Sequence, residues 1–331
     1  MRISVISQDG KSEFICPETG SWNTFFETLV NSGHNIVSLE QSPNAIIFMN
    51  NSPQLLREVQ KKSLDVIKVL VLWESSATKP QNFLEKDIKL YDYVYTPSKQ
   101  WIQGANVRQF NWPQGPSDIA SMSFSEWSKR SNTPVIFQGN KYSFIKGEMY
   151  SLRRKVISEF NGNLSLYGAG WNSLVFVLTA LVRALITGVR YLGKRHLTWP
   201  RPIWVYARVN NGFHPEKKQI LEKVKFSVVI ENSLDYVSEK IFQSIAHGCV
   251  VIYCGPNLSD FDIPQDIVHS CEPSSTKICQ AYRYLESNQQ ISFQIASKAT
   301  EFHQSDRFKP FHHDNVLRKL ALDIATDLEL K

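Results

Sequence analysis

The sequence contains few cysteines, and their spacing matches neither a disulfide framework nor a zinc finger. No CxxC pair occurs, and no histidine lies at finger spacing from a cysteine. A small disulfide-stapled fold and a structural zinc site are therefore not expected. The odd number of cysteines fits a reducing compartment. The five are Cys16, Cys249, Cys254, Cys271 and Cys279.

Long apolar runs are also lacking. The first ten residues do not contain the apolar core of a secretory signal peptide. Segment 173–192 is apolar overall, but Arg183 and Arg190 interrupt it. Its longest uncharged apolar run, 174–182, is shorter than the roughly 20 residues that span a bilayer. We therefore expect a cytoplasmic protein without a membrane-spanning helix.

The composition excludes disordered, collagen-like and low-complexity chains. Hydrophobic residues make up 42% and charged residues 21%, with 15 glycines and 15 prolines. A length of 331 residues predicts about two domains. The 37 lysines and arginines exceed the 31 acidic residues, and the net charge of +6 suits nucleic acid, a membrane surface or an anionic substrate.

Short β-branched runs alternate with helical stretches along the chain, a pattern typical of a parallel sheet covered on both faces. The alternation is interrupted by the proline- and serine-rich stretch 112–131. We therefore predict an α/β protein of two Rossmann-like domains that face a cleft. The predicted domains are 1–125 and 126–310, and a C-terminal helix, 311–331, is expected to cross back to the first domain. The predicted strands include 44–49, 67–73, 91–95, 133–137, 164–167, 226–230 and 249–253.

The stretch 226–256 is the most informative part of the sequence. It is typical of a strand, a turn, a helix and a second strand, with Glu231-Asn-Ser directly after the first strand. In such units, ligands bind where the carboxyl ends of strands meet the N-termini of helices. There, Lys240 would add a positive charge for a diphosphate, and Glu239 would accept hydrogen bonds from ribose or sugar hydroxyls. The alternative is a solvated Glu–Lys pair on a surface helix.

A second candidate, Glu74, follows the predicted buried strand 67–73. In a Rossmann-like domain this position faces the cleft. A carboxylate desolvated beside Trp73 is suited to take a proton from an acceptor hydroxyl as a general base. The alternative is a loop glutamate that is solvated or caps a helix.

Several motifs carry a resemblance to a known family. Glu231-Asn-Ser, Tyr236-Val-Ser-Glu-Lys-Ile and Gly255-Pro occur in the order and spacing of the donor motif of the α1,3-fucosyltransferases, glycosyltransferase family 10. Upstream, 140–154 and Tyr167-Gly-Ala-Gly-Trp resemble the start of the C-terminal domain in the same family. The resemblance is good over residues 135 to 290 and weaker in the N-terminal half.

The resemblance implies a GT-B fold, in which the C-terminal domain binds GDP-fucose and the N-terminal domain holds the acceptor. By match to the family, Lys240 and Arg153 would contact the diphosphate. Glu239 would contact the ribose, and Tyr236 and Asn232 would line the donor pocket.

Two positions of this match stay open. Arg154 is an alternative counterpart to Arg153, and the alternative role of Arg153 is a solvated helix arginine. Ala169 stands where many relatives carry a basic residue, which puts any contact made there in doubt. The resemblance also points to Glu74 as the catalytic base, because the corresponding strand of the family ends in a glutamate in a similar context.

The implied reaction is an inverting transfer through an oxocarbenium-like transition state, with Glu74 taking the proton of the acceptor hydroxyl. Lys240 and Arg153 would stabilise the charge that grows on the departing GDP. No metal and no cofactor is required beyond GDP-fucose as donor substrate. Asp260-Phe-Asp262 matches the Asp-x-Asp metal motif of another glycosyltransferase class, but it follows Gly-Pro in a loop and is interpreted as a turn.

Other functions fit parts of the sequence. The same fold would serve a transferase that uses another nucleotide sugar, and a relative without activity would be a non-catalytic glycan- or nucleic-acid-binding protein. Nucleic acid is not an expected partner, because no recognisable binding motif is present. The aromatic segment 110–115 would either stack on the sugar rings of a glycan acceptor or close a core.

The positive charge is concentrated in one part of the sequence. Residues 161–214 contain no aspartate or glutamate and six lysines and arginines. The apolar helix 173–192 and the basic, tryptophan-containing stretch after it are typical of an interfacial site on anionic lipid. We therefore predict a peripheral contact through 173–204 with the inner face of a membrane, which suits a lipid-linked glycan acceptor. The alternative is a helix packed into the core of the C-terminal domain, with a basic flank in solvent.

Overall fold

The computed structural model describes residues 1–6, 22–61, 65–98, 106–114, 121–192, 198–200, 212 and 216–330, with the backbone alone of 190–192. It divides the chain into two compact units. The first contains Met1–Gly115 and Pro310–Lys331, and the second contains Pro116–Lys309. The C-terminal residues therefore belong to the first unit, and the division lies ten residues before the predicted boundary at residue 125.

Strands and helices alternate in both units. The strands are β1 (Arg2–Ile6), β2 (Asn35–Ile36), β3 (Ala45–Met49), β4 (Ile67–Val71), β5 (Tyr93–Thr96), β6 (Val107–Gln109), β7 (Val135–Phe137), β8 (Ser165–Tyr167), β9 (Phe226–Ile230), β10 (Val250–Cys254) and β11 (His269–Ser270). The helices are α1 (Asn23–Asn31), α2 (Pro53–Lys61), α3 (Glu85–Ile88), α4 (Phe124–Ser128), α5 (Tyr150–Phe160), α6 (Leu174–Leu192), α7 (Lys217–Leu221), α8 (Lys240–Ile245), α9 (Ser275–Ser287), α10 (Gln289–Gln304) and α11 (His313–Glu329).

The sheet of the first unit has the order β2-β1-β3-β4-β5-β6, and all neighbouring strands are parallel. Ala45 and Ile47 belong to a buried cluster with residues of α1 and α11, whereas Ile46 and Phe48 belong to a cluster with residues of α2. Successive residues of a strand face opposite sides of the sheet. Because both sides are buried, β3 has a continuous apolar sequence.

Helix α11 is linked to the first sheet by a buried carboxylate. Asp327 is 3% exposed, and its Oδ2 accepts a hydrogen bond of 2.6 Å from the hydroxyl of Tyr95. Its Oδ1 accepts a second one, of 3.0 Å, from Arg108 Nη2. The chain entering α11 is held as well, since the backbone N–H of Gln114 donates to the carbonyl of Phe311.

The sheet of the second unit has the order β11-β10-β9-β7-β8 and is also parallel. In both sheets the first strand lies between the second and the third, as β2-β1-β3 and β8-β7-β9. The strand order reverses at this point, and open α/β sheets bind ligands beyond the carboxyl ends of the strands that flank such a reversal. The prediction of two parallel-sheet, Rossmann-like α/β domains is confirmed.

Helix α6 is exposed over most of its surface. Val177 is fully buried, but Val175 is 75% exposed and Ile186 is 58% exposed. The alternative of a helix packed into the domain core is therefore wrong. In the part of the chain that the structure describes, no helix has both the length and the apolar character needed to cross a membrane. Of the six basic residues in segment 161–214, Lys194, Arg195, Arg201 and Arg208 lie outside the described residues.

Candidate functional site

The strand reversal of the second unit lies between β7 and β9, and polar residues follow both strands. Gln138 comes directly after β7, and Glu231 and Asn232 come directly after β9. Gln138 Nε2 donates a hydrogen bond of 2.7 Å to the carbonyl oxygen of Ile230, which joins the two strand ends. The topology therefore gathers a buried polar cluster at the edge of the sheet where a ligand is expected.

Several buried polar atoms in this cluster have no hydrogen-bond partner among the described residues. They are Gln138 Oε1, Asn140 Oδ1 and Ser233 Oγ. The three side chains are at most 4% exposed. Buried polar groups are normally paired, and an unpaired one costs about 1–3 kcal/mol. A ligand with hydroxyl or amide donors would satisfy the two amide oxygens, and a phosphate oxygen could accept from Ser233 Oγ.

The turn after β8 packs closely against the end of β7. A Cβ atom at Gly168 would collide with the carbonyl oxygen of Gln138, so only glycine fits there. Trp171 Nε1 donates to the same oxygen at 2.7 Å, and the N–H of Asn140 donates to Ala169 O at 2.9 Å. Ala169 itself is exposed, so a methyl group occupies the position where many members of the resembled family carry a cation.

Arg153 is the cation most deeply buried in this cluster. It projects from α5 and is 3% exposed, which shows that the solvated alternative is wrong. Its Nη2 donates to Ile230 O at 2.7 Å and to Asn232 Oδ1 at 2.8 Å, and its Nε donates to Ile230 O at 3.2 Å. No carboxylate among the described residues lies within 4.0 Å of the guanidinium. Burial lowers the pKa of Arg153, and the charges of nearby tyrosine and glutamates oppose that shift.

Arg154 is equally buried but points elsewhere. Its Nη1 donates to Lys141 O at 2.7 Å, its Nη2 donates to Ser151 Oγ at 3.0 Å, and its guanidinium lies 4.2 Å from the centre of the Tyr142 ring. These contacts lie on the Lys141 side, whereas Arg153 binds Asn232 in the loop that follows β9. The geometry therefore favours Arg153 over Arg154 as the donor-site residue.

Glu231, Ser238 and Lys240 form a compact polar group beyond β9. The carboxylate of Glu231 is fully buried and accepts hydrogen bonds from Ser238 N at 3.0 Å and Ser238 Oγ at 2.6 Å. Lys240 Nζ donates to Ser238 Oγ at 2.8 Å and lies 4.0 Å from Glu231 Oε2. Burial raises the pKa of Glu231, and the charge of Lys240 and the hydrogen bonds from Ser238 oppose the shift.

The predicted pair Glu239 and Lys240 lies at the start of α8. The helix begins at Lys240, with Glu239 at its N-cap position. The Lys240 side chain is 18% exposed and the Glu239 side chain 33% exposed, with Lys240 Nζ 3.9 Å from Glu239 Oε1. The alternative of a fully solvated pair is therefore wrong for Lys240.

Asn232 and Tyr236 are buried in the same loop, at 9% and 3% exposure. The carbonyl of Asn232 accepts a hydrogen bond from Met149 N at 3.0 Å, which connects the loop to the start of α5. At the end of β10, a side chain on Gly255 would collide with the hydroxyl of Tyr253 and lie 2.7 Å from Glu231 Cγ. The loop and the glycine therefore enclose the Glu231 carboxylate.

The structure adds one cation that the sequence did not indicate. A small open pocket is lined by Gln138 and Lys240, and also by Lys217 and Gln243. Lys217 Nζ donates to Gln243 Oε1 at 3.0 Å, and burial lowers the pKa of Lys217. Two lysines thus share one pocket beside the strand ends.

In the first unit, Glu74 lies three residues after the end of β4 and is half-buried. Asn50 follows β3 and has a φ of 85°. Its side chain holds the residue just before Glu74. Asn50 Oδ1 accepts hydrogen bonds from Trp73 N at 3.0 Å and from Asn82 Nδ2 at 2.8 Å. Glu74 therefore follows a rigid segment at the carboxyl end of the sheet.

An aromatic cluster surrounds Trp73. Its ring makes edge contacts with Trp22, Phe110 and Trp112, at centroid distances of 4.6, 5.1 and 5.3 Å. Phe110 is buried, so it closes the core of the unit, whereas Trp22 and Trp112 are half-buried at the edge of that core.

The Asp-x-Asp match is a turn, as predicted. Asp260 lies in a short 3₁₀-helix, Leu258–Phe261, and Asp262 ends it with φ of 58°. Both side chains are exposed.

No protein-family model matches the chain, and no curated protein matches its sequence. Solved structures match its fold. HepE of Anabaena, in complex with UDP and glucose, gives a TM-score of 0.57 at 11% identity, over 98% of this chain and 100% of that one. An α1,3-fucosyltransferase with GDP-fucose gives a TM-score of 0.57 at 11% identity, over 99% of this chain and 90% of that one. A glycosyltransferase from Rickettsia africae gives a TM-score of 0.52 at 11% identity, over 97% of this chain and 85% of that one.

These matches extend over nearly the whole chain and include both units. The predicted GT-B fold class is confirmed by them. At 11% identity the likeness concerns the fold, and membership of glycosyltransferase family 10 does not follow from it.

Proposed function

We propose that this protein is an inverting glycosyltransferase that uses a nucleoside-diphosphate sugar, with GDP-fucose as the first candidate donor. The observation that carries the proposal is the polar cluster between β7 and β9. It combines the buried Arg153, which contacts no described carboxylate, with Lys240 and with unpaired buried polar atoms. A nucleoside diphosphate supplies the negative charge and the hydrogen-bonding groups that such a cluster lacks.

The chemistry follows from the charge that develops on the leaving group. As the bond between the anomeric carbon and the diphosphate oxygen breaks, negative charge grows on the departing nucleotide. Cations held in place before the reaction stabilise this transition state more than the ground state. Arg153 and Lys240 fill that role in our proposal, and no metal ion or further cofactor is required.

We assign the general base to Glu74. The oxygen of an acceptor hydroxyl attacks the anomeric carbon from the face opposite the nucleotide, which inverts the configuration. The hydroxyl proton passes to the Glu74 carboxylate, and the electron pair of the broken bond leaves with the nucleotide. The aromatic cluster next to Glu74 suits a glycan acceptor, free or lipid-linked, because half-buried tryptophans pack well against sugar rings.

GDP-fucose is preferred because of the motif match. In that match Glu239 contacts the ribose, and Asn232 and Tyr236 line the donor pocket. The direct contact between Arg153 and Asn232 supports this grouping, because it joins two of the proposed donor residues. The proposed membership of glycosyltransferase family 10 rests on the same residues.

A UDP-sugar is the second candidate donor. It is favoured by the equal TM-score of 0.57 to HepE, whose structure holds UDP and glucose. Arg153 and Lys240 recognise phosphates, and such contacts do not distinguish guanine from uracil.

Isothermal titration with GDP, UDP, GDP-fucose, GDP-mannose and UDP-glucose tests the proposal. We expect micromolar binding of one nucleotide and of the corresponding nucleotide sugar. GDP with GDP-fucose is the first candidate pair. If UDP binds and GDP does not, the donor is a UDP-sugar, the second candidate. Binding of a nucleotide sugar without turnover over a glycan acceptor panel would identify a non-catalytic relative. Absence of all nucleotide binding, together with salt-dependent binding of DNA or RNA, would replace the proposal by a nucleic-acid-binding role.

A further inference from the structure

Helix α6 carries a continuous apolar surface that is exposed to solvent. At 100° per residue, seven of the eight exposed large apolar side chains in its described part fall within about a third of the helix circumference, and Phe176 (40% exposed) lies outside that arc. We name this set the α6 stripe. It consists of Leu174 (58% exposed), Val175 (75%), Leu178 (54%), Val182 (56%), Leu185 (38%), Ile186 (58%) and Val189 (57%). Contiguous exposed apolar patches on the surface of a folded domain mark interaction surfaces.

A different side of α6 is buried. Val177 is fully buried and Gly188 is buried, and the two residues lie on one side of the helix, eleven positions apart. The helix is therefore held along one narrow face, which lies about 110° around the helix from the centre of the stripe.

The charge around the stripe selects its partner. Arg183 is exposed and borders the stripe, at the middle of the helix. Residues 161–214 contain six basic residues and no acidic one, so the region as a whole is positively charged. An apolar stripe bordered by a basic side chain, in a segment without acidic residues, is the pattern of a helix that lies in the plane of an anionic membrane surface.

Trp199, seven residues after the end of α6 in the sequence, is a further exposed aromatic residue. It is 58% exposed, and its ring makes an edge contact of 5.2 Å with Phe144. The backbone N–H of Thr198 donates to Phe144 O at 2.6 Å, which fixes the position of the tryptophan. Exposed tryptophans that are held in place are favoured at the boundary between lipid headgroups and acyl chains.

We propose that α6 docks the protein on an anionic membrane, with the α6 stripe inserted at the acyl boundary and Arg183 at the lipid phosphates. The helix lies along the surface and does not cross it. Docking requires neither a donor nor an acceptor, so it stands or falls separately from the proposed transferase activity.

Vesicle flotation of the full chain tests this proposal. The probes are vesicles of phosphatidylcholine alone and vesicles of phosphatidylcholine and phosphatidylglycerol in equal parts. We expect binding to the anionic vesicles, weakened by added salt, and much weaker binding to the neutral ones.

The double variant Leu178→Asn/Val182→Asn removes two central residues of the stripe and is expected to weaken partitioning roughly tenfold or more. Arg183→Gln is expected to weaken it about fivefold. The matched control is Val30→Asn, which changes an apolar residue of α1 that is 51% exposed and lies outside the stripe. Thermal melts followed by circular dichroism verify that each variant is folded.

Failure of the wild-type protein to float, or equal flotation of the double variant, would overturn the proposal. Equal binding to neutral vesicles would also do so, because the charge would then have no role. Light scattering supplies a further check. A wild-type dimer that the double variant converts to a monomer, without vesicle binding, would show that the stripe joins two copies of the chain.

Discussion

Arg153 and Asn232 meet beyond the carboxyl end of β9, where Arg153 Nη2 donates a hydrogen bond of 2.8 Å to Asn232 Oδ1. The two residues are 79 positions apart in the sequence, on α5 and on the loop before α8. The guanidinium binds only neutral oxygens in its described hydrogen bonds, namely the Ile230 carbonyl and the Asn232 amide. Its charge is therefore available to attract an anion at this edge of the sheet.

Replacement of Arg153 by lysine keeps the charge but loses the forked geometry that reaches Ile230 and Asn232 together. We expect Arg153→Lys to weaken nucleotide binding roughly tenfold, as measured by titration calorimetry with GDP. Arg154→Lys is the matched control, because Arg154 is equally buried but points toward Lys141. It is expected to lower thermal stability and to leave the affinity for GDP nearly unchanged. The reverse pattern would assign the diphosphate contact to Arg154.

The sheets could be predicted from the sequence because both of their faces are covered. Central strands such as β3, β9 and β10 are buried on every residue, so each forms an apolar run bounded by polar turns. The placement of the candidate site after β9 follows from the same pattern, but the part played by Gln138 after β7 does not. The contact of Arg153 with Asn232 does not, because sequence distance alone cannot show which side of α5 faces the strand ends.

Other elements gave weak or misleading signals. Helix α10 gives a weak signal because its buried positions include Ser292, Ala296 and Ala299, which are too small or too polar to form a clear apolar stripe. Helix α1 is short, and only Phe25, Phe26 and Leu29 of its residues are buried, although these three have helical spacing. The exposure of α6 is hidden in the sequence, because apolar residues occur on both its buried and its exposed sides.

Removal of the Lys240 side chain is expected to weaken nucleotide binding without unfolding the protein. Lys240 is 18% exposed, and its amine lies among Ser238 Oγ and the carboxylates of Glu231 and Glu239. A charged contact to phosphate contributes about 1.5–3 kcal/mol, so we expect Lys240→Ala to raise the Kd for GDP roughly 10- to 100-fold. Lys218→Ala is the control, because the Lys218 side chain is 59% exposed. Equal Kd values for wild type and Lys240→Ala would remove Lys240 from the donor site.

Replacement of Glu74 by glutamine separates chemistry from binding. The amide has nearly the same shape but cannot accept a proton, so we expect the transfer rate to fall roughly 100- to 10,000-fold while GDP binding is retained. Glu85→Gln is the control, since Glu85 is an exposed residue of α3 in the same unit. Single-turnover transfer and calorimetry measure the two properties. Transfer at the wild-type rate by Glu74→Gln would exclude Glu74 as the base.

The buried carboxyl of Glu231 predicts a pH-dependent change in stability. Burial raises its pKa above the ordinary value of 4.5, so the folded state binds the proton more tightly than the unfolded state. Stability is therefore lost as the pH rises above 4.5, and an uncharged glutamine avoids this loss. We expect Glu231→Gln to raise the Tm near neutral pH, with a gain that shrinks as the pH falls toward 4.5.

Melts over this pH range measure the effect, with Glu239→Gln as control because that side chain is 33% exposed. A gain that does not depend on pH would contradict the assigned cause.

The carboxylate of Asp327 is expected to stabilise the first unit through its two partners on the sheet. Asp327→Ala leaves the buried Tyr95 hydroxyl without its 2.6 Å acceptor and removes the 3.0 Å contact with Arg108. Loss of a buried charged acceptor costs about 2–4 kcal/mol, so we expect a clear decrease in the free energy of unfolding by denaturant titration. Asp323→Ala on the same helix is the control, because its pair with Lys319 is largely solvent-exposed and contributes about 0.3–0.5 kcal/mol. Because Asp327 joins α11 to β5 and β6, an equal effect of the two substitutions would mean that α11 is held by its apolar face alone.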